Sequence, residues 1–266
     1  MPIEPAAGSP APTAPPARVT LVHDWLTGYR GGEKCLAVLC RRFPAAPLYT
    51  LLHARGTLPD VIERMDIRPS LLQRLPRIDR YYRYTLPLMP LVAGWRLPDC
   101  DLVVSLSHAV AKSAKAPPGV PHVCYCFTPM RYAWHMRESS FADRVRGLKA
   151  RAVDALLAAI RAWDRRTASR VTHFIAISRT IRKRIADSYG RDSVVIYPPV
   201  DTDFYTPYPA IRREDFYLVI SAFAPYKRVD LAVEACRRLG RRPGRVGRPP
   251  APGAPARQPA NQRSGR

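Results

Sequence analysis

Four short stretches of this 266-residue sequence place polar or charged side chains at spacings that suit chemistry on an anionic, hydroxyl-rich ligand. The first is Thr27-Gly28-Tyr29-Arg30-Gly31-Gly32, which follows an apolar run and precedes a helical pattern. Glycines let backbone approach a ligand, and a helix N-terminus offers free N–H groups to an anion. It is not the G-x-G-x-x-G dinucleotide fingerprint, and tight turning alone also accounts for it. The second is Ser105-Leu106-Ser107-His108, with Lys112 four residues further on. His108 suits a proton carrier or a hydrogen-bond partner of a sugar hydroxyl. A Ser107 helix cap beside a surface histidine is an equal reading. The third is Cys126-Phe127-Thr128-Pro129-Met130-Arg131-Tyr132. The Arg131 guanidinium forks onto phosphate or carboxylate, and Tyr132 and Trp134 suit stacking on a sugar or packing of a loop. The fourth is Pro225-Tyr226-Lys227-Arg228 at a strand-to-helix turn, where two cations suit a diphosphate. The helix dipole disfavours cations there, so capping is a poor explanation for them.

No spacing supports a metal site, a Ser-His-Asp triad or a paired-carboxylate hydrolase, and neither metal nor cofactor is expected. Asp101 and Asp143 are scattered carboxylates.

Such stretches need a scaffold, and the intervening text supplies one. The runs RVTLVHDW, PLYTLL, DLVVSLS, HVCYCF, THFIAIS and SVVIYPP alternate with helical segments. Short runs apolar on both faces predict an α/β fold with a parallel sheet and helices on both sides. Polar groups just past the strand ends then stand where open α/β folds bind ligands. Glu33–Phe43 reads as a helix, and Asp143–Arg170 as the longest one, with Val153, Leu156, Leu157 and Ile160 as its apolar stripe.

A hydrophobic fraction of 47% belongs to a globular protein, and the net charge of +22 suits a polyanionic partner or a solvated basic surface. Six cysteines show no C-x-x-C spacing, and Cys124 and Cys126 read as small core residues on one face of a strand. A reduced, cytoplasmic protein is expected, without a signal peptide or a transmembrane helix.

Residues 1–17 read as a disordered leader, 18–197 as an N-terminal domain, and 198–209, with four prolines, as a linker. Residues 210–239 (FYLVISAF, APYK, RVDLAVEACRRLG) read as the first strand and helix of a second nucleotide-binding fold. Residues 240–266 are almost purely Arg, Pro, Gly, Ala and Gln with Val246 as the one larger aliphatic, and they read as a disordered tail. The abrupt change there suggests a frameshift or truncation, with a basic anion-binding tail as the alternative.

Taken together, HDWLTGYRGGEKCLAVL, SLSHAVAK, CYCFTPMRYAWH, FIAISRTIRKRI, VIYPPVDTDFY and YLVISAFAPYKRVDLAVEA resemble the family 4 (group 1) glycosyltransferases of the GT-B type. The nearest subset is the bacterial mannosyltransferase-like enzymes. The resemblance implies retaining transfer of a hexose, mannose by this likeness, from a nucleotide-diphosphate sugar to a polysaccharide or lipid-linked acceptor. It implies that Gly31, Gly32, Lys227 and Arg228 meet the donor phosphates. His108 becomes the catalytic candidate, and Glu33, Lys112, Arg131, Tyr132, Ser178 and Arg184 line the acceptor side or the cleft. Peripheral contact with the inner membrane follows, with Tyr81-Tyr82-Arg83-Tyr84 and LPLMPLV as a composition suited to a lipid interface. Ala222 stands where many relatives have arginine, and Phe127 where many have histidine. The family's glutamate pair is not found, so this chain is expected to have little or no activity. The rivals are a non-catalytic acceptor- or polyanion-binding fragment and, with no supporting motif, a nucleic-acid-binding protein.

Overall fold

The computed structural model describes residues 18–85, 87–134, 148–207, 217–220, 227–240 and 243–247. The predicted leader and most of the predicted tail lie outside these residues. The chain divides into two compact units, Met1–Pro199 and Val200–Arg266.

Unit 1 is built on seven parallel strands: β1 (Val19–His23), β2 (Pro47–Thr50), β3 (Asp66–Pro69), β4 (Leu102–Ser107), β5 (His122–Cys126), β6 (His173–Ala176) and β7 (Ser193–Val195). Their order is β3-β2-β1-β4-β5-β6-β7. The chain builds outward in one direction from β1 to β3, returns, and builds outward in the other from β4 to β7. The carboxyl ends of β1 and β4 therefore flank the crevice that a doubly wound sheet opens where its order reverses.

The central strands carry Val, Leu and Cys because both faces are covered. On one face Val19, Leu21, Leu48, Val104 and Leu106 pack against Leu36, Cys40 and Ile62 from α1 (Gly31–Arg42) and α2 (Asp60–Glu63). On the other, Val22 and Val103 pack against Ala111 and Ala114. Cys124 and Cys126 share a third cluster with Phe174, Ile181, Ile185 and Tyr189. Two helices wrap this end of the sheet: α6 (Leu148–Ala168) and α7 (Arg179–Tyr189). Of the predicted α6 stripe, Ile160 is buried, while Val153 and Leu156 are exposed.

In unit 2, β8 (Tyr217–Ile220) precedes α8 (Val229–Arg238) and pairs in parallel with β9 (Pro243–Gly247). Strand β9 lies inside the segment expected to have no structure. Backbone pairing with β8 needs only N–H and C=O groups, which an Arg- and Gly-rich segment retains. Residues 241–242 and 248–266 lie outside the described residues.

Candidate functional site

The site forms one residue beyond two neighbouring strands. The pairing register sets His23 of β1 opposite Leu106 of β4, so Asp24 and His108 leave the sheet side by side. Asp24 is fully buried, yet its carboxylate is saturated. Oδ2 accepts from the backbone N–H of His108 (2.5 Å) and Ala109 (2.9 Å). Oδ1 accepts from Val110 (2.6 Å) and Ala111 (2.7 Å). Four consecutive amides converge on one carboxylate, the arrangement in which a turn binds an anion. His108 Nδ1 lies 2.9 Å from Oδ2. Burial alone would raise this carboxyl, but the His108 charge and these hydrogen bonds outweigh it and hold Asp24 far below the usual carboxylate range.

In its neutral form His108 turns its Nδ1 proton toward the Asp24 carboxylate, which leaves Nε2 as an acceptor. The imidazole is wedged edge-on against Trp25, with ring centroids 4.4 Å apart, and its side chain is 30% exposed. It is the exposed end of a buried carboxylate–imidazole pair: held in one tautomer and one orientation, and open to a ligand. Sequence reasoning passed over Asp24, although its position immediately after the first strand was the available signal.

The glycine loop lies beside this pair. A Cβ on Gly32 would meet the Phe127 ring at 3.4 Å and the His23 ring at 3.6 Å, ordinary van der Waals contact, while Gly31 faces open space. His23 is buried with neither ring nitrogen hydrogen-bonded among the described residues. Glu33 Oε2 accepts from Arg30 N (2.9 Å), and Oε1 stands 3.8 Å from His23 Nε2. Burial works to raise the Glu33 carboxyl, but His23 and the backbone N–H groups hold it below its ordinary value. Glu33 therefore closes the first turn of α1 and is itself buried.

Gly31, Gly32 and His108 thus come together, with Asp24, His23, Glu33 and Phe127 around them. Lys112 does not join them. It is 1% exposed, and its ammonium lies 2.8 Å from the Asp164 carboxylate and donates to the Asp164 carbonyl (2.8 Å) and Thr167 Oγ1 (3.0 Å). A spacing of four puts residues on one face only in a helix. Here residues 108–110 form a bend capped by Asp24, and only Ala111–Ser113 is helical. The same bend replaces the alternative of a helix capped by Ser107. Asp164 Oδ2 also accepts from Trp134 Nε1 and Tyr189 OH (both 2.8 Å), so Trp134 serves the interior and is not a stacking platform.

Arg131 is exposed at the start of α5 (Arg131–Trp134), and the Tyr132 side chain lies outside the described residues. Ser178 accepts from Ile181 N (3.2 Å) as the N-cap of α7, and Arg184 is half-buried on that helix. In unit 2, Lys227 is exposed, and Arg228 forks onto Asp230 (2.8 Å at its shortest) at the start of α8. Phe127 packs on Gly32 and lies 6.3 Å from the His108 ring. Among the described residues no three His, Cys, Asp or Glu side chains cluster to hold a metal.

No curated protein matches the chain. The family model described as Glycosyltransferase Family 4 matches residues 29–204, well over half of the chain, including Gly31, Gly32, His108 and the β6–α7 turn. An α/β sheet with its site at the switch point agrees with that match, and the chain belongs to glycosyltransferase family 4.

Proposed function

We propose that unit 1 is the acceptor-side domain of a retaining transferase that moves a hexose from a nucleotide-diphosphate sugar to a saccharide or lipid-linked acceptor. The observation that carries this reading is the Asp24–His108 pair beside Gly31 and Gly32 at the crevice of the sheet. In the transfer, the bond from the sugar's anomeric carbon to the donor phosphate breaks and a bond to the acceptor oxygen forms. The nucleoside diphosphate leaves with the electron pair of the broken bond, and the acceptor hydroxyl gives up its proton. His108 Nε2 is placed to accept a hydrogen bond from a substrate hydroxyl. The open amides at the start of α1 suit a phosphate oxygen, and Lys227 and Arg228 are assigned to the donor diphosphate. Mannose as the transferred sugar rests on the sequence resemblance alone.

Turnover by the 266-residue chain is expected to be low, because unit 2 leaves much of its apolar surface uncovered. The test is to incubate the purified chain with guanosine-diphosphate mannose and a lipid-linked acceptor and to follow product by mass spectrometry. His108→Ala should remove whatever product forms, whereas an unchanged yield would remove His108 from the reaction.

The same reading includes a cytoplasmic protein touching an anionic membrane surface. Leu71 (66% exposed) and Leu91 (80% exposed) stand out from one stretch of unit 1, with Arg74 exposed between them in sequence. Tyr82, predicted to join that interface, is buried against Trp25 instead. No helix among the described residues is long and apolar enough to cross a membrane.

A further inference from the structure

A cavity of about 330 Å³ opens at the carboxyl end of β2, apart from the Asp24–His108 pair. Leu52 and Ile78 give it an apolar floor, and Thr27, His53, Gln73 and Arg77 bring polar groups to it. These polar groups are largely committed in one direction. His53 Nε2 meets Glu63 Oε2 at 2.9 Å, and Glu63 Oε1 accepts from Gly56 N at 2.8 Å. With Nε2 donating to Glu63, Nδ1 remains as an acceptor. Gln73 Oε1 accepts from His53 N (2.8 Å), which leaves its amide N–H groups as donors.

Arg77 is the exception. Its exposed side chain makes no hydrogen bond or ion pair with the described residues, and the Glu63 carboxylate beside His53 is already paired. Its backbone is left-handed, with φ of 53° and ψ of 29°, a conformation that non-glycine residues adopt at a cost. Strain of this kind is retained where the surroundings fix it, and it concentrates at ligand sites. An apolar floor, hydroxyl-matching donors and acceptors at the wall, and one unneutralised guanidinium make a site for a sugar ring that carries an anionic group.

We propose that this cavity binds an anionic saccharide unit, a hexose bearing a phosphate, with Arg77 on the phosphate and Thr27, His53 and Gln73 on ring hydroxyls. Thr27 Oγ1 lies 3.4 Å from Tyr82 OH, Tyr82 packs on Trp25, and Trp25 packs on His108. This row of side chains ties the cavity to the candidate reaction centre and makes it an acceptor subsite. That role rests on the reading of unit 1 as the acceptor-side domain, while the binding chemistry does not.

The test is calorimetric titration of the full chain with glucose 1-phosphate and with glucose, without any donor. Glucose 1-phosphate should bind at least tenfold more tightly than glucose, and Arg77→Gln should abolish that difference. Arg77→Gly, whose backbone accepts the left-handed conformation freely, should lose it equally and guards against misfolding. Arg74→Gln, on an exposed neighbour outside the cavity, should keep it. Equal affinity for the two sugars, retention of the preference in Arg77→Gly, or an equal loss in Arg74→Gln would overturn the proposal. Displacement of glucose 1-phosphate by phosphatidylglycerol vesicles, but not by phosphatidylcholine vesicles, would give the phosphate a lipid source. No displacement by either would point to a soluble sugar phosphate, and both results keep the cavity's chemistry. Binding without turnover would count against the transferase reading alone, and turnover without the Arg77-dependent preference would count against this subsite alone.

Discussion

Strands β1 and β8 carry similar apolar text, VTLVH at Val19–His23 and YLVI at Tyr217–Ile220, and in the chain order each is followed by an amphipathic helix. Every residue of β1 is buried, whereas three of the four in β8 are exposed. The difference lies in their neighbours. Strand β1 has β2 on one edge and β4 on the other, with α1 over one face and residues 111–114 over the other. Strand β8 has β9 along one edge, and Leu231, Val233 and Leu239 of the α8 region stay exposed. An apolar βα pattern states a demand for burial, and only surrounding elements can meet it.

Charged groups repeat the lesson. The Asp24–His108 pair and the Arg228–Asp230 fork each set a carboxylate against nitrogen donors at about 2.8–2.9 Å. Asp24 accepts four buried amides, so Asp24→Ala orphans all of them at about 1–3 kcal/mol each. The expected outcome is loss of most of the stability of unit 1, read by chemical denaturation. Asp230→Ala removes an exposed partner and should leave the unfolding midpoint where it was. A small effect of Asp24→Ala, or a large one of Asp230→Ala, would break the contrast between the units.

A second buried group gives the contrast a pH dependence. Burial pushes the His122 imidazole from 6.5 down to about 4, and its Nε2 meets Ser105 Oγ at 2.8 Å. The folded protein resists protonation that the unfolded chain accepts, so the unfolded state binds more protons between these values. Stability of unit 1 should be unaffected above pH 6.5 and should fall as pH drops toward 4, by about 3 kcal/mol in full. His122→Gln should flatten that fall in denaturation curves taken at pH 7 and pH 4.5. An identical slope in the variant would remove His122 as its source.

What the sequence made legible follows the same division. Six of the seven strands of unit 1 were readable as apolar runs; the central ones are covered on both faces, while Val194 of the edge strand β7 is 61% exposed. Strand β3, DIRP at the opposite edge, escaped notice because none of its four residues is buried and three of them are Asp, Arg and Pro. Gly31, Gly32 and His108 were legible from type and position after a strand. Asp24 was not, since its role depends on β1 and β4 being adjacent although Asp24 and His108 stand 84 residues apart. Lys112, placed on the acceptor side by resemblance, lies in the interior because its ammonium meets Asp164, a partner 52 residues away in sequence. The cavity at His53 and Arg77 was hidden because it is assembled from three separate stretches of the chain.

The smallest expected effect tests the exposed side of the comparison. If the apolar groups of unit 2 are as uncovered as Leu231 (55% exposed) and Leu239 (69% exposed) indicate, replacing both with serine removes no packing that holds unit 1 together. The double variant should melt at the same temperature as the parent, because exposed substitutions away from a core change stability little. It should also stay soluble to a higher concentration, because contiguous exposed apolar surface promotes association. Static light scattering across a concentration series, beside a thermal melt, reads both quantities. A lowered melting temperature with unchanged scattering would mean that these leucines are covered in solution, and unit 2 would then be a packed domain in the same sense as unit 1.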